Sequence, residues 1–156
     1  MFKKLFGNNN KQPESAANST DPMQLALATL FVEAARADEK YEDHEIAIVD
    51  KFLAANFSLS PDAVKTLRAE AEKTQENALD IQRYTKTAKE MSGDDKIAFI
   101  EQLWEIVLSD GDRDPFEDTL IRRICGLIYV EDRDSGAARA RVAARLSAQP
   151  KSPEKR

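Results

Sequence analysis

The chain has 156 residues, enough for one domain with a core of its own and too few for two comfortable ones. Its 42% hydrophobic content argues against global disorder, and its formal net charge of −5 argues against a nucleic-acid protein, which needs a basic face to neutralise phosphates. Only five glycines interrupt long stretches rich in Ala, Leu, Glu, Lys and Arg, so the fold class is all-α.

Taken in chain order, Met1 to Gly7 carries Phe2, Leu5 and Phe6 at helical spacing beside Lys3 and Lys4. One such turn is marginal for touching a membrane or a partner, and a frayed terminus describes it better. Asn8 to Thr20 is polar and reads as a linker, so residues 1–20 form a flexible N-terminal segment. The pairs Asp21-Pro22, Ser60-Pro61 and Asp114-Pro115 each set an N-cap residue before a proline, whose missing N–H costs nothing in the first helical turn. Ser92 offers a further cap before Ile97, Phe99, Ile100, Leu103 and Trp104. Apolar residues spaced by three and four then predict about seven helices, near 22–37, 43–57, 61–76, 79–90, 94–109, 115–130 and 133–147. The helical domain spans 21–148, and 149–156 is a flexible tail. No apolar run approaches the roughly 18 residues that cross a bilayer, and no secretory signal is present, which predicts a cytoplasmic protein without direct membrane insertion.

Cys125 is the only cysteine and His44 the only histidine. A cysteine metal site therefore lacks ligands, and Cys125, in an apolar stripe, reads as a buried thiol rather than a nucleophile. Trp104 and Phe99 read as core. Lys65, Arg68, Lys73, Arg83, Lys86 and Lys89 read as a solvated helix surface, with a basic patch as the sharper alternative.

The informative feature is a repeat. With a shift of 72 positions, Phe31 to Ala35 falls on Leu103 to Val107, Ile48 to Leu53 on Leu120 to Cys125, and Phe57 on Tyr129. Acids coincide at Glu33 and Glu105, Asp38 and Asp110, Glu42 and Asp114, and Glu45 and Glu117. Apolar matches alone are cheap among amphipathic helices. Coincident acids are not. The expected architecture is a pseudo-twofold pair of helix–acidic turn–helix units.

Each turn gathers carboxylates from two helix ends, and oxygen-rich clusters suit hard cations such as Ca²⁺ or Mg²⁺. Neither turn is an EF-hand: Pro115 takes the place of the obligatory glycine, and Ile121 and Val49 take that of the bidentate glutamate. Against a cation site stands plain helix capping. Asp114 with Glu117 forms a capping box, and Glu42 with Glu45 a less ideal one. Asp38 and Asp110 follow helix C-termini, where negative charge is mildly unfavourable, so capping explains them least. Both readings remain open on the sequence.

The repeated segments Leu30 to Asp38 with Glu45, and Leu103 to Gly111 with Glu117, resemble the paired motifs of the tellurite-resistance TerB family. The resemblance covers about Pro22 to Arg145. It implies a compact helical domain with an internal repeat, a role in tellurite resistance and stress response, and no enzymatic activity. It further implies metal binding through Asp38, Glu45, Asp110 and Glu117, with Glu33 and Glu105 behind them, and a protein partner that includes membrane-associated ones. Glu39 stands where the second copy has Gly111, which leaves the backbone geometry of the first turn open. The expected function is a non-catalytic binding or scaffold protein with a weak divalent-cation site. The alternative is a protein–protein module whose acidic turns are caps and hold no metal.

Overall fold

A computed structural model describes residues 21–37, 39–109 and 115–148. Within these there are seven helices and no strand: α1 (Pro22–Ala35), α2 (Asp43–Phe57), α3 (Pro61–Asn77), α4 (Gln82–Ala88), α5 (Gly93–Leu108), α6 (Pro115–Ile128) and α7 (Asp132–Ala148). The terminal segments and their apolar Phe2, Leu5 and Phe6 lie outside the described residues.

The helix starts follow from their capping chemistry. Asp21 accepts hydrogen bonds from the backbone N–H groups of Met23 and Gln24 at 2.8 and 3.2 Å. Ser60 accepts from Ala63 at 3.2 Å, and Ser92 from Asp95 at 3.1 Å. Each satisfies a donor that the helix itself leaves unpaired. α4 is shorter than its pattern predicts. Ala78 is extended, and the Asp80 carboxylate accepts from the N–H of Gln82 at 2.9 Å, so this acid starts the helix three residues late. α6 stops at Ile128 rather than at 130 because Tyr129 turns left-handed at φ 67°.

α1 packs most extensively on α3, and α5 on α7. α2 bridges α1 and α3, α6 bridges α5 and α7, and α4 lies against α1 and α6. Burial follows the same order. Val49, Phe52 and Leu53 of α2 are buried, as are Ile121, Ile124 and Cys125, 72 positions later in α6. The third helices correspond as well, at a shift of 71: Val64, Leu67 and Ala71 are buried in α3, and Ser135, Ala138 and Val142 in α7. The change of shift falls at the ends of α2 and α6. Both close on a left-handed residue, Ser58 (φ 56°) and Tyr129 (φ 67°). Beyond it, the Leu59 N–H bonds back to the Ala54 carbonyl, and the Val130 N–H to that of Cys125. Tyr129 is therefore the counterpart of Ser58 and not of Phe57, because α6 is one residue shorter than α2.

The centre of the core is Phe31, whose ring lies 5.6 Å from that of Phe52 and 5.2 Å from that of Phe99. One aromatic from each of α1, α2 and α5 thus meets at a point, in tilted contacts that the ring quadrupoles favour. Trp104 is core as expected; its indole N–H donates to the Ser135 hydroxyl at 3.1 Å, and the Arg139 guanidinium lies 5.3 Å from its ring. Cys125 is fully buried, and that burial pushes its thiol up from the usual range, although a hydrogen bond with Ser135 opposes the shift. A protonated, enclosed thiol is inert. Across the seam between α2 and α5, Asn56 and Gln102 are both buried and exchange two amide hydrogen bonds at 2.9 and 3.0 Å.

Candidate functional site: the acidic turns

The first turn leaves α1 through Arg36 and Ala37 and enters α2 at Asp43. Asp38 and the whole of 110–114, with Asp110, Gly111, Asp112 and Asp114, lie outside the described residues. The remaining site candidates are placed clearly.

Glu45 is buried at the third position of α2, and its carboxylate accepts the backbone N–H of Glu42 at 2.9 Å. It is half of a capping box, as the less ideal pair in the sequence suggested. Glu117 is buried equally deeply at the corresponding place in α6, with 3% exposure against 2% for Glu45. Two glutamates this enclosed are uncommon, since carboxylates are almost never fully buried unless partnered. Their burial also means that neither presents its charge to a partner's surface.

Glu33 and Glu105 tie the first helix of each unit to the third. Gln75 of α3 donates to Glu33 at 2.9 Å. Glu105 receives Lys51 of α2 at 3.0 Å and Arg145 of α7 at 3.6 Å. Among the described residues, no three His, Cys, Asp or Glu side chains gather as a metal would require.

The turn itself is built by residues that spacing did not single out. Glu39 adopts φ 67°, a left-handed conformation natural to glycine, and its N–H bonds to the Arg36 carbonyl at 2.9 Å. The backbone geometry left open by the missing glycine is thus the glycine-like one, held by a glutamate. Tyr41 then folds inward. Its hydroxyl donates to Glu72 at 2.5 Å, and the Arg36 guanidinium lies 4.6 Å from the centre of its ring. Burial raises the Tyr41 hydroxyl above its ordinary pKa, and the hydrogen bond to Glu72 raises it further. Arg36 continues the network to Gln75 at 2.7 Å and Glu76 at 3.3 Å.

On the far side of Glu72, Arg68 donates to it at 3.1 Å and to Asp50 of α2 at 2.6 Å. Burial disfavours the Arg68 charge, but these two carboxylates outweigh it and raise its pKa. Arg68 is therefore a structural cation rather than part of a basic patch. A tyrosine set within a run of charged turn residues was the one sequence signal for this network, because its ring needs somewhere to pack.

Chemically, the first turn is a place where carboxylates and backbone N–H groups are held in fixed positions beside a packed core. Among the described residues the Cys125 thiol is buried. No helix among them is long and apolar enough to cross a membrane. No curated protein and no solved structure gives a significant match to the chain. The family model described as tellurite resistance protein TerB matches residues 24–140, which takes in both turns and the first half of α7. The chain belongs to the TerB family of tellurite-resistance proteins.

Proposed function

We propose that this TerB-type domain is a non-catalytic, cytoplasmic binding or scaffold protein of the stress response. Its working surface is the exposed rim of the acidic turns, which engages a protein partner, membrane-associated partners included. The observation that supports this reading is the internal engagement of the inner acids. Glu45 caps a helix, and Glu33 and Glu105 hold neighbouring helices. The surface offered to a partner is the outer rim, where Glu39, Asp43 and His44 are exposed.

A second reading, a weak Ca²⁺ or Mg²⁺ site at the turns, draws support from the matching burial of Glu45 and Glu117 behind them. It depends on Asp38 and Asp110 to supply the outer ligands. Calorimetric titration with each cation separates the two readings. The scaffold reading expects no heat from either ion in the wild-type protein. Millimolar or tighter binding that disappears in Asp38→Asn with Asp110→Asn would establish the cation reading instead.

A further inference from the structure

Helix α3 packs on α1 and α7 on α5, but the two are held by different means. The fully buried side chains of α3 are Val64, Leu67 and Ala71, and those of α7 are Ser135, Ala138 and Val142. The α7 set is thus the α3 set with a serine in place of the leucine, and Leu146 further along α7 is only partly buried. Less apolar surface therefore leaves water when α7 docks. Ion pairs supply part of the hold instead. Arg141 pairs with Glu101 at 2.8 Å, and Arg145 with Glu101 at 3.4 Å and Glu105 at 3.6 Å. The two arginine side chains are 51% and 50% exposed, whereas Arg68, which braces α3, is 17% exposed. Exposed pairs are weak and yield to salt, while enclosed pairs are screened much less.

α7 also carries a glycine that its packing does not require. A Cβ at Gly136 would meet nothing within 4 Å, and glycine inside a helix favours the unfolded chain. An undocked α7 is 17 residues of helix without a partner, which is marginal in water, so release and melting go together. Beneath it lie the only tryptophan and the only cysteine of the chain. Ser135 accepts the Trp104 indole N–H at 3.1 Å and is hydrogen-bonded to Cys125. We infer that α7 is a salt-releasable strap, which opens locally while the other helices stay folded and thereby uncovers Trp104 on α5 and Cys125 on α6. The first acidic turn is anchored on α3 instead, so the strap is independent of whatever the turns bind.

The test is alkylation of Cys125 by excess iodoacetamide in the full native chain, between about 0.05 M and 0.5 M NaCl. Each rate is divided by that of a short cysteine peptide in the same salt. Salt is expected to raise the rate by about threefold or more. In Arg141→Gln with Arg145→Gln the rate should be high at both salt concentrations. Gly136→Ala, whose added methyl touches no neighbour, should slow alkylation by about fourfold. A rate indifferent to salt and to the arginine substitutions would overturn the inference, and so would Gly136→Ala without effect. Alkylation no faster than the globally unfolded fraction allows, as measured by denaturant melts in the same salt, would overturn it too, because the whole domain and not α7 would then be opening.

Discussion

Glu39 is the residue at which the sequence and the fold disagree most directly. A glutamate at φ 67° keeps its Cβ in steric conflict with the backbone, at a cost of roughly 1–2 kcal/mol that glycine avoids. Part of that gain is returned, because glycine is freer in the unfolded chain. Glu39→Gly is therefore expected to stabilise the domain by up to about 1 kcal/mol, read as a higher denaturant midpoint at unchanged slope. A lower midpoint would mean that the Glu39 side chain makes a contribution larger than the strain. The left-handed conformation could be read only from the second copy, where Gly111 stands. Nothing in the first copy's own residues announced it, because a glutamate carries no local signature for that geometry.

At the scale of elements, the helices were legible wherever a side chain competes for backbone donors. Asp21, Ser60 and Ser92 start α1, α3 and α5 where the sequence places them. The late start of α4 was not legible, since the bond from Gln82 to Asp80 competes with a run of residues that would otherwise tolerate helix. The clasp between Tyr41 and Glu72 was also hidden, because it joins positions 31 apart whose pairing depends on how α3 docks. Its energetic weight is testable. Tyr41→Phe removes a hydrogen bond to a charged acceptor and should cost about 1.5–3 kcal/mol near neutral pH.

The pH dependence has a definite sign. In the unfolded chain a tyrosine releases its proton near 10.0, while folded Tyr41 retains its proton to higher pH because burial and Glu72 both disfavour the phenolate. The stabilisation is complete below pH 10 and is lost as the pH climbs beyond it. The stability difference between wild type and Tyr41→Phe should therefore narrow in alkaline solution. A difference that holds constant from neutral pH to pH 11 would show that the hydroxyl is not the group responsible.

For the whole molecule, the sequence predicts two units, and burial in α3 and α7 follows an extension of the same spacing, at 71. That extension escaped the ungapped alignment because the shift changes from 72 to 71 after α2 and α6, and because Ser135 and Ala138 share no chemistry with Val64 and Leu67. Only burial relates them. The all-α class, the helix count and the family were legible; the convergence of side chains was not, since it depends on tertiary docking.

The seam between the units is where a single substitution should be felt most widely. Asn56 and Gln102 satisfy each other in a buried setting. Asn56→Leu leaves the Gln102 amide without its partner, at about 1–3 kcal/mol. Replacing both residues with leucine should recover much of that loss. A double-mutant cycle is expected to give a coupling of at least about 1 kcal/mol, and simple additivity would show that the two amides act independently.

Helix α3 has a property that emerges only when its two sides are considered together. Glu72 faces the first acidic turn and holds Tyr41, while its neighbour Lys73 lines an open groove between the C-terminal half of α3 and the start of α4. The turn and the groove therefore share one wall. The turn's local opening must break its bond to that wall, so the exchange rate of amide protons in residues 39–42 is expected to report on the rigidity of α3 and not only on the turn. Whatever braces α3 from the groove side slows that exchange, and whatever loosens the turn makes α3 more yielding in return.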